Sequence, residues 1–131
     1  MAINPTFIST PRIGIASLST ANTATDGTGA ITDLITAVTS GTRILSINVQ
    51  TTATTTASLV NVFVNDGSNY HLYDQITVGA ATSSSTAKTY RLSTQYTDLV
   101  LPNANYKLGC TLTVAPSTGS VRVVAHGADL T

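Results

Sequence analysis

The sequence is poor in the side chains on which most catalytic and nucleic-acid-binding sites depend. Of its 131 residues only 9% are charged, against roughly 25% in an ordinary globular domain. It contains no glutamate and no tryptophan, and its net charge is zero. The six basic residues are scattered along the sequence and form no basic stripe, so the sequence shows no cluster of positive charge that would bind the phosphates of a nucleic acid. We therefore expect no nucleic acid partner.

Cysteine and long apolar runs are scarce too. Cys110 is the only cysteine, which excludes an internal disulfide. It alternates with Leu108 and Leu112, so we expect a buried thiol with no basic neighbour to activate it. No apolar run approaches the roughly 18 residues of a membrane-spanning helix, and the first residues lack the pattern of a signal peptide. The expectation is a chain made in the cytoplasm with no membrane partner.

What the sequence has in quantity is alternation of apolar and uncharged polar residues, clearest from Thr42 to Val78. Leu45, Ile47 and Val49 are separated by single polar residues. A second alternating run ends at the turn Asn65-Asp66-Gly67, and a third begins at Tyr70. This period of two predicts three half-buried strands of an antiparallel sheet.

Further short strands are predicted on both sides of this region. The first covers Arg12 to Ser19, and others include Lys88 to Tyr96 and a last strand around Val123. The segment Ala30 to Ser40 has apolar residues at helical spacing, but its threonine and isoleucine content and its flanking glycines favour a strand. The total of about eight strands predicts an all-β protein: an antiparallel, jelly-roll-like β-sandwich formed as one domain by residues 12–131.

Residues 1–11 are predicted to form an extended N-terminal arm. Pro5 and Pro11 bracket the segment, and each proline favours extended geometry in the residue before it. Ile3, Phe7 and Ile8 make this arm too apolar for a solvated tail. It either lies along its own domain or reaches onto a neighbour, so these three residues are candidates for an interface.

The reactive side chains do not form a catalytic or metal-binding pattern. The two histidines, His71 and His126, have none of the His, Cys and Asp spacing of a metal site. Neither adjoins a nucleophile and an acid in sequence. The six aspartates are dispersed, and several adjoin glycines in turns. We expect no metal, no cofactor and no enzymatic activity.

The aromatic residues leave a binding role open. All large polar aromatics are tyrosines, and Tyr70 and Tyr73 point to opposite faces of their strand. An exposed tyrosine can anchor a protein interface or stack on a sugar ring. Tyr73 and its strand neighbour His71 are therefore further candidate interface residues. The carbohydrate interpretation is the weaker one because sugar sites usually rely on tryptophan, which is absent here.

Several segments together resemble small virion proteins of tailed bacteriophages, of the cement or decoration type that coats icosahedral heads. The likeness covers roughly residues 20–128 and consists of strand and turn signatures. The segments that carry it are Arg43-Ile44-Leu45-Ser46-Ile47, the threonine-rich run Thr51 to Thr56, Val62-Phe63-Val64-Asn65-Asp66-Gly67, Leu72-Tyr73-Asp74-Gln75-Ile76-Thr77-Val78, Leu99 to Asn103, and Tyr106-Lys107-Leu108.

The resemblance implies a structural subunit of the virion, made in the host cytoplasm. Its partners would be the major capsid protein and further copies of itself, as a dimer or trimer. It transfers no functional residue. The near-neutral, threonine-rich composition also suits a protein that works in an assembly, because a dispersed protein usually keeps a net charge. Two other interpretations stay open: a head-fibre or tail component that binds glycan, and, with least support, a hydrolase.

Overall fold

Nine β-strands and no helix make up residues 8–130, the part of the chain that the computed structural model describes. In chain order the strands are β1 (Ile8–Leu18), β2 (Thr32–Thr36), β3 (Thr42–Thr51), β4 (Ser58–Asn65), β5 (Tyr70–Val78), β6 (Arg91–Gln95), β7 (Val100–Leu101), β8 (Lys107–Leu112) and β9 (Val121–Leu130). These residues therefore contain no helix that could cross a membrane. The predicted all-β class is confirmed.

The strands form two antiparallel sheets that pack face to face. Sheet I has the order β1-β9-β3-β6, with β7 pairing the beginning of β3, and sheet II has the order β2-β8-β4-β5. Most connections cross from one sheet to the other, while β4 and β5 form a hairpin within sheet II. This strand order is that of a jelly roll, in which two Greek keys build a double sheet. The predicted jelly-roll-like sandwich is confirmed, with the two-residue β7 as an extra strand.

The core lies between the sheets and is built from alternate residues of each strand. Val121, Val123 and Ala125 of β9 face it, as the sequence pattern indicates. Leu108, Cys110 and Leu112 of β8 meet them from sheet II, and all three are fully buried. Because the two inner faces are aliphatic and interdigitate, burial of apolar area is the main stabilising term, about 25 cal/mol per Å² removed from water.

The predicted alternation on β3 is wrong at its first member. Ile47 and Val49 are fully buried, but Leu45 is exposed and Ile44 occupies the core instead. The pairing of β3 with β9 shifts register between Ile44 and Ser46. A β-bulge of this kind inserts one residue and so reverses the side-chain direction on one side of it. Periodicity in the sequence does not reveal such an insertion, since Ile44 and Leu45 are both apolar.

The predicted boundary between arm and sandwich differs from the observed start of the first strand. β1 begins at Ile8, and Thr10 and Pro11 are in register with Asp129 and Ala128 of β9. Pro11 is tolerated because β1 is an edge strand of sheet I. Ile3 and Phe7 lie outside the described residues. The segment from Ala30 to Ser40 contains β2, so its interpretation as a strand is confirmed.

An ion pair connects strands on the β1 side of the sandwich. The Arg12 guanidinium lies 3.0 Å from Oδ1 of Asp129 on β9, and it also donates a hydrogen bond to the carbonyl oxygen of Thr36 on β2. The Thr42 hydroxyl on β3 donates to the same carboxylate at 2.8 Å. Four strands from both sheets are thus joined through two charged side chains that are largely shielded from water.

The two sheets approach each other closely at Gly14. A Cβ atom at this position would lie 2.2 Å from the carbonyl oxygen of Leu34 on β2. Gly14 is buried, whereas its neighbours Ile13 and Ile15 point outward and are 58% and 59% exposed. At this position of β1 the glycine therefore faces the other sheet, and the two isoleucines face solvent.

Candidate interaction surfaces

The reactive side chains are dispersed in the fold and do not form a constellation for catalysis. Among residues 8–130 no three His, Cys, Asp or Glu side chains lie together in a way that could hold a metal ion. Cys110 is fully buried in the core, and burial raises the pKa of its thiol to about 12. Its thiolate is therefore not available near neutral pH. His126 lies on the outer side of sheet I, in register with Ile13 and Ser46.

His71 takes part in the turn between β4 and β5. Its Nε2 lies 3.0 Å from Oδ2 of Asp66, and both side chains are largely exposed. The Oδ1 of Asp66 accepts hydrogen bonds from the backbone N–H groups of Ser68 and Asn69. These backbone bonds, and then the histidine, lower the pKa of Asp66 to about 2. The contacts of His71 within its own chain explain it as a turn residue, and its place in an interface stays a prediction.

A polar cluster spans the outer side of sheet II. The Tyr70 hydroxyl donates a 2.5 Å hydrogen bond to Asp33, and the Lys107 ammonium lies 3.0 Å from the other oxygen of that carboxylate. Lys107 also lies over the Tyr70 ring, 5.7 Å from its centre. Burial raises the pKa of Asp33, but the hydrogen bonds from Tyr70 and Lys107 outweigh it and the net shift is downward. The cluster links β5, β8 and β2, and we interpret its role as stabilising the packing of these strands.

Tyrosines of the β6 region cover the free edge of β5. The Tyr90 hydroxyl donates to the carbonyl oxygen of Thr77, and the Tyr96 hydroxyl donates to Oδ2 of Asp74. The other oxygen of Asp74 accepts the N–H of Gln75. An edge strand with unpaired backbone groups is a template for pairing with another chain. Side chains already bind the Gln75 N–H and the Thr77 carbonyl oxygen, so these two backbone groups at the edge of β5 are not open to a further strand.

Beside this edge lies a small apolar surface with acidic neighbours, formed by Leu72, Tyr73, Asp74 and Asp98 and here named the acidic flank. Leu72 is 40% and Tyr73 is 42% exposed. The register of β5 with β4 shifts between Val62 and Phe63, so Tyr73 bulges out of the ladder and packs on Tyr96. Burial, and then the Asp98 and Asp74 carboxylates, raise the pKa of Tyr73.

The outer side of sheet I carries a surface of the opposite charge. Its exposed apolar residues are Ile13 and Ile15 of β1, with half-buried Val124 of β9 in register with Ile15. Its basic residues are Arg43, Arg91 and Arg122, of which Arg91 and Arg122 lie across Gln50 of β3. We name these six residues the basic face: Ile13, Ile15, Val124, Arg43, Arg91 and Arg122.

No carboxylate lies on the basic face. The five strands of sheet I contain one acidic residue, Asp129, and it is bound by Arg12 and Thr42. Among the described residues the three arginines of the basic face make no ion pair. A chain of zero net charge therefore has an outer sheet face whose charged side chains are all basic. The pattern of the sequence does not predict this face, because the three arginines lie on strands that are distant in sequence.

A shallow polar hollow adjoins one end of the basic face. It encloses about 290 Å³ and is lined by Gln50, Thr51, Thr52, Thr89 and Arg122. A second groove of about 400 Å³ runs along the acidic flank between Leu72 and Gln75. Neither groove brings together an acid, a base and a nucleophile.

The predicted interface residues that the structure describes lie on two strands, β1 and β5. Tyr73 is exposed beside Leu72 and Asp74, and its role as an interface anchor stays a prediction. Ile8 begins β1, while Ile3 and Phe7 lie outside the described residues. Sequence reasoning missed Ile13 and Ile15, because a strand of alternating residues does not by itself indicate which of its two faces is buried.

Comparison with known proteins found a likeness in fold and none in sequence family. No protein-family model matches the sequence, and no curated protein matches it. A chain in the acidic stable capsid structure of Helicobacter pylori bacteriophage KHP30 has the same fold, with a TM-score of 0.57. The match covers 94% of this chain and 90% of that chain, at 11% sequence identity. At this identity the likeness establishes a shared fold.

Proposed function

We propose that this protein is a structural component of a tailed-bacteriophage virion, a decoration or cement protein that binds across subunits of the major capsid protein and stabilises the head. The observation that carries the proposal is the fold match to a phage capsid chain over nearly the full length of both chains. Because one fold can serve many functions, the surfaces must support the same conclusion. Both surfaces described above combine exposed apolar residues with arginine or tyrosine, and this composition is typical of protein interfaces.

Cementing follows from mass action. A protein that binds only the assembled shell adds interface that must be lost before the shell opens, so it stabilises the assembled state. The surfaces of this chain need little desolvation of charge, because only 9% of its residues are charged. Apolar and uncharged polar contact can then contribute without the cost of burying unpaired ions.

The N-terminal segment would extend this contact. Ile3, Phe7 and Ile8 are the apolar residues of the predicted arm, and Tyr73 and His71 are the candidate interface residues on β5. Ile8 is already paired with Leu130, so the proposal concerns residues 1–7, which precede β1. We propose that these residues reach onto a neighbouring subunit.

Deletion of residues 1–7 tests the arm. We expect weaker attachment to the capsid, or a smaller oligomer, with a thermal unfolding midpoint close to that of the full chain because all nine strands remain. Attachment is measured by co-sedimentation with shells depleted of the protein, and the midpoint by circular dichroism. Attachment and oligomeric state equal to those of the full chain would remove the arm from the proposal.

The proposed function itself is tested on particles of the virus that encodes the chain. Quantitative mass spectrometry of purified virions should find the protein at a copy number comparable with that of the major capsid protein. A few copies per particle would instead indicate a tail or fibre component. Absence from the purified particle would overturn the assignment to a virion.

A further inference from the structure

The basic face and the acidic flank are complementary to each other. Each has exposed apolar side chains: Ile13 and Ile15 at the β1 edge of one surface, Leu72 and Tyr73 on the other. The charged residues of each surface have a single sign, three arginines on β3, β6 and β9 against Asp74 and Asp98. Apolar contact combined with opposite charges is what protein interfaces use for affinity and for partner choice.

The apolar residues of the two surfaces lie in different parts of the molecule. Ile13, Ile15 and Val124 of the basic face lie on β1 and β9, at one side of sheet I, whereas Leu72 and Tyr73 lie on β5, the far edge strand of sheet II. β1 packs beside β2, and β5 lies beside β6, so β1 and β5 are at opposite sides of the sandwich. Arg43 does reach the carbonyl oxygen of Thr97, next to Asp98, but the two groups of apolar side chains cannot meet within one molecule, and a second molecule is needed to pair them.

From this arrangement we infer that the basic face of one copy of this chain binds the acidic flank of another copy, in a head-to-tail contact. Contact of two basic faces would place arginines against arginines with no carboxylate between them, which is repulsive. A head-to-tail contact leaves one unused surface at each end, so it continues until a ring closes or a lattice forms. This inference rests on the proposed virion function, for which it names a second copy of the chain as a neighbour. The experiment tests the contact on the purified chain alone.

The aliphatic residues of the basic face argue for a protein occupant over a nucleic acid. Recognition of phosphates depends on cations and hydrogen-bond donors, and Ile13 and Ile15, at 58% and 59% exposed, offer neither. The arginines are also far apart: Arg43 pairs with Ala128 of β9, and Arg122 lies on β9 itself. Ala128 and Arg122 are roughly 20 Å apart at the strand rise of about 3.3 Å per residue.

Two single variants, each spoiling one surface, test the contact. Ile15→Asp places a carboxylate among the exposed apolar residues of the basic face, and Tyr73→Lys removes the aromatic anchor and adds a positive charge to the acidic flank. Both positions are exposed, so folding should persist; Leu72→Lys replaces Tyr73→Lys if the latter unfolds. Val114→Asp, at an equally exposed apolar residue outside both surfaces, is the matched control. Thermal unfolding of each variant confirms that it folds.

Sedimentation velocity over a concentration series gives the readout. We expect the wild type and the control to self-associate, less so with added salt, and each surface variant to weaken self-association by roughly 30-fold or more, the effect of losing an interface hot spot. A mixture of Ile15→Asp with Tyr73→Lys should form a one-to-one dimer and nothing larger, because one intact basic face and one intact acidic flank remain.

Three results would overturn the inference. They are a wild type that stays monomeric at every concentration, a Tyr73→Lys variant that still dimerises by itself, and a mixture that does not associate. A monomeric wild type that nevertheless attaches to capsid shells would assign the basic face to the capsid protein while leaving the proposed function intact. Failure of the self-contact and failure of the virion role are thus distinguishable.

Discussion

The Tyr96 hydroxyl donates a 2.7 Å hydrogen bond to Oδ2 of Asp74, and this bond joins the end of β6 in sheet I to the edge strand of sheet II. Tyr96 is half-buried against the core. Burial, and then the Asp74 carboxylate, raise the pKa of its phenol above the ordinary value of 10.0. The bond closes the side of the sandwich opposite to the Arg12–Asp129 pair.

Replacement of Tyr96 by phenylalanine should lower the free energy of unfolding by about 1–2 kcal/mol, since a hydrogen bond to a charged group is lost. It should also change the alkaline behaviour. Above pH 10 the phenol ionises in the unfolded chain but stays protonated in the folded one, so unfolding is favoured as the pH rises. Urea unfolding should show that the free energy of unfolding falls less between pH 8 and 11 in Tyr96→Phe than in the wild type. Tyr106→Phe is the control. An equal fall in both variants would contradict the role of the Tyr96 phenol.

Substitution of Gly14 by alanine should be strongly destabilising. The added Cβ would lie 2.2 Å from the Leu34 carbonyl oxygen, and backbone cannot move aside as a flexible side chain can. Forcing an extra carbon into a packed site costs about 1–3 kcal/mol, and we expect the upper end. Chemical denaturation measures the loss. Ser17→Ala, at an exposed position of the same strand, should change stability by less than about 0.5 kcal/mol; a similar small change at Gly14 would refute the close approach.

Two threonines near the end of β8 should respond oppositely to valine. The Thr111 hydroxyl is buried without a hydrogen-bond partner among the described residues, so Thr111→Val should raise stability by about 1 kcal/mol. The Thr113 hydroxyl accepts the Leu59 N–H at 2.9 Å, so Thr113→Val should lower stability by about 1 kcal/mol. The two variants make the same chemical change and control for each other. Equal signs in urea denaturation would contradict the hydrogen-bond assignment.

The contribution that Asp66 makes to stability in the β4–β5 turn should be lost at acidic pH. The pKa of Asp66 is lowered from 3.8 to about 2 by the backbone N–H groups of Asn69 and Ser68 and by His71. A lowered pKa stabilises the folded state above the unfolded value, and this contribution is lost as the pH falls from about 4 to about 2. Thermal midpoints over that range should fall less steeply in Asp66→Asn than in the wild type. His71→Gln keeps both backbone hydrogen bonds to Asp66 and should retain most of the pH dependence of the thermal midpoint. Identical profiles for wild type and Asp66→Asn would exclude this contribution of Asp66.

The regularity of the strands made much of the fold predictable. Period-two alternation marked β3, β4, β5, β8 and β9, and the Asn65-Asp66-Gly67 turn marked the one hairpin. At the β2 segment, helical spacing competed with β-branched composition, and composition prevailed because the strand packs into an existing sheet. The bulge at Leu45 and the start of β1 at Ile8 escaped prediction, since register is set by the partner strand β9 and not by the strand's own sequence.

The exposed surfaces were predictable only in part. Tyr73 was predicted as an interface residue from its strand position; it is exposed, and the interface role stays a prediction. The basic face was not identified, because Ile13 and Ile15 point outward only when Gly14 meets the backbone of β2, a contact between residues 20 positions apart.

The sequence by itself determined the all-β class, the jelly-roll-like sandwich, the buried thiol and the absence of any recognisable catalytic motif, because each follows from local periodicity or composition. Only the tertiary structure decided where the charges lie. Strands that are distant in sequence become neighbours through their backbone hydrogen bonds, and this pairing collects Arg43, Arg91 and Arg122 on one sheet while Asp74 and Asp98 gather beside Tyr73. A chain whose net charge is zero thereby acquires two surfaces of opposite sign.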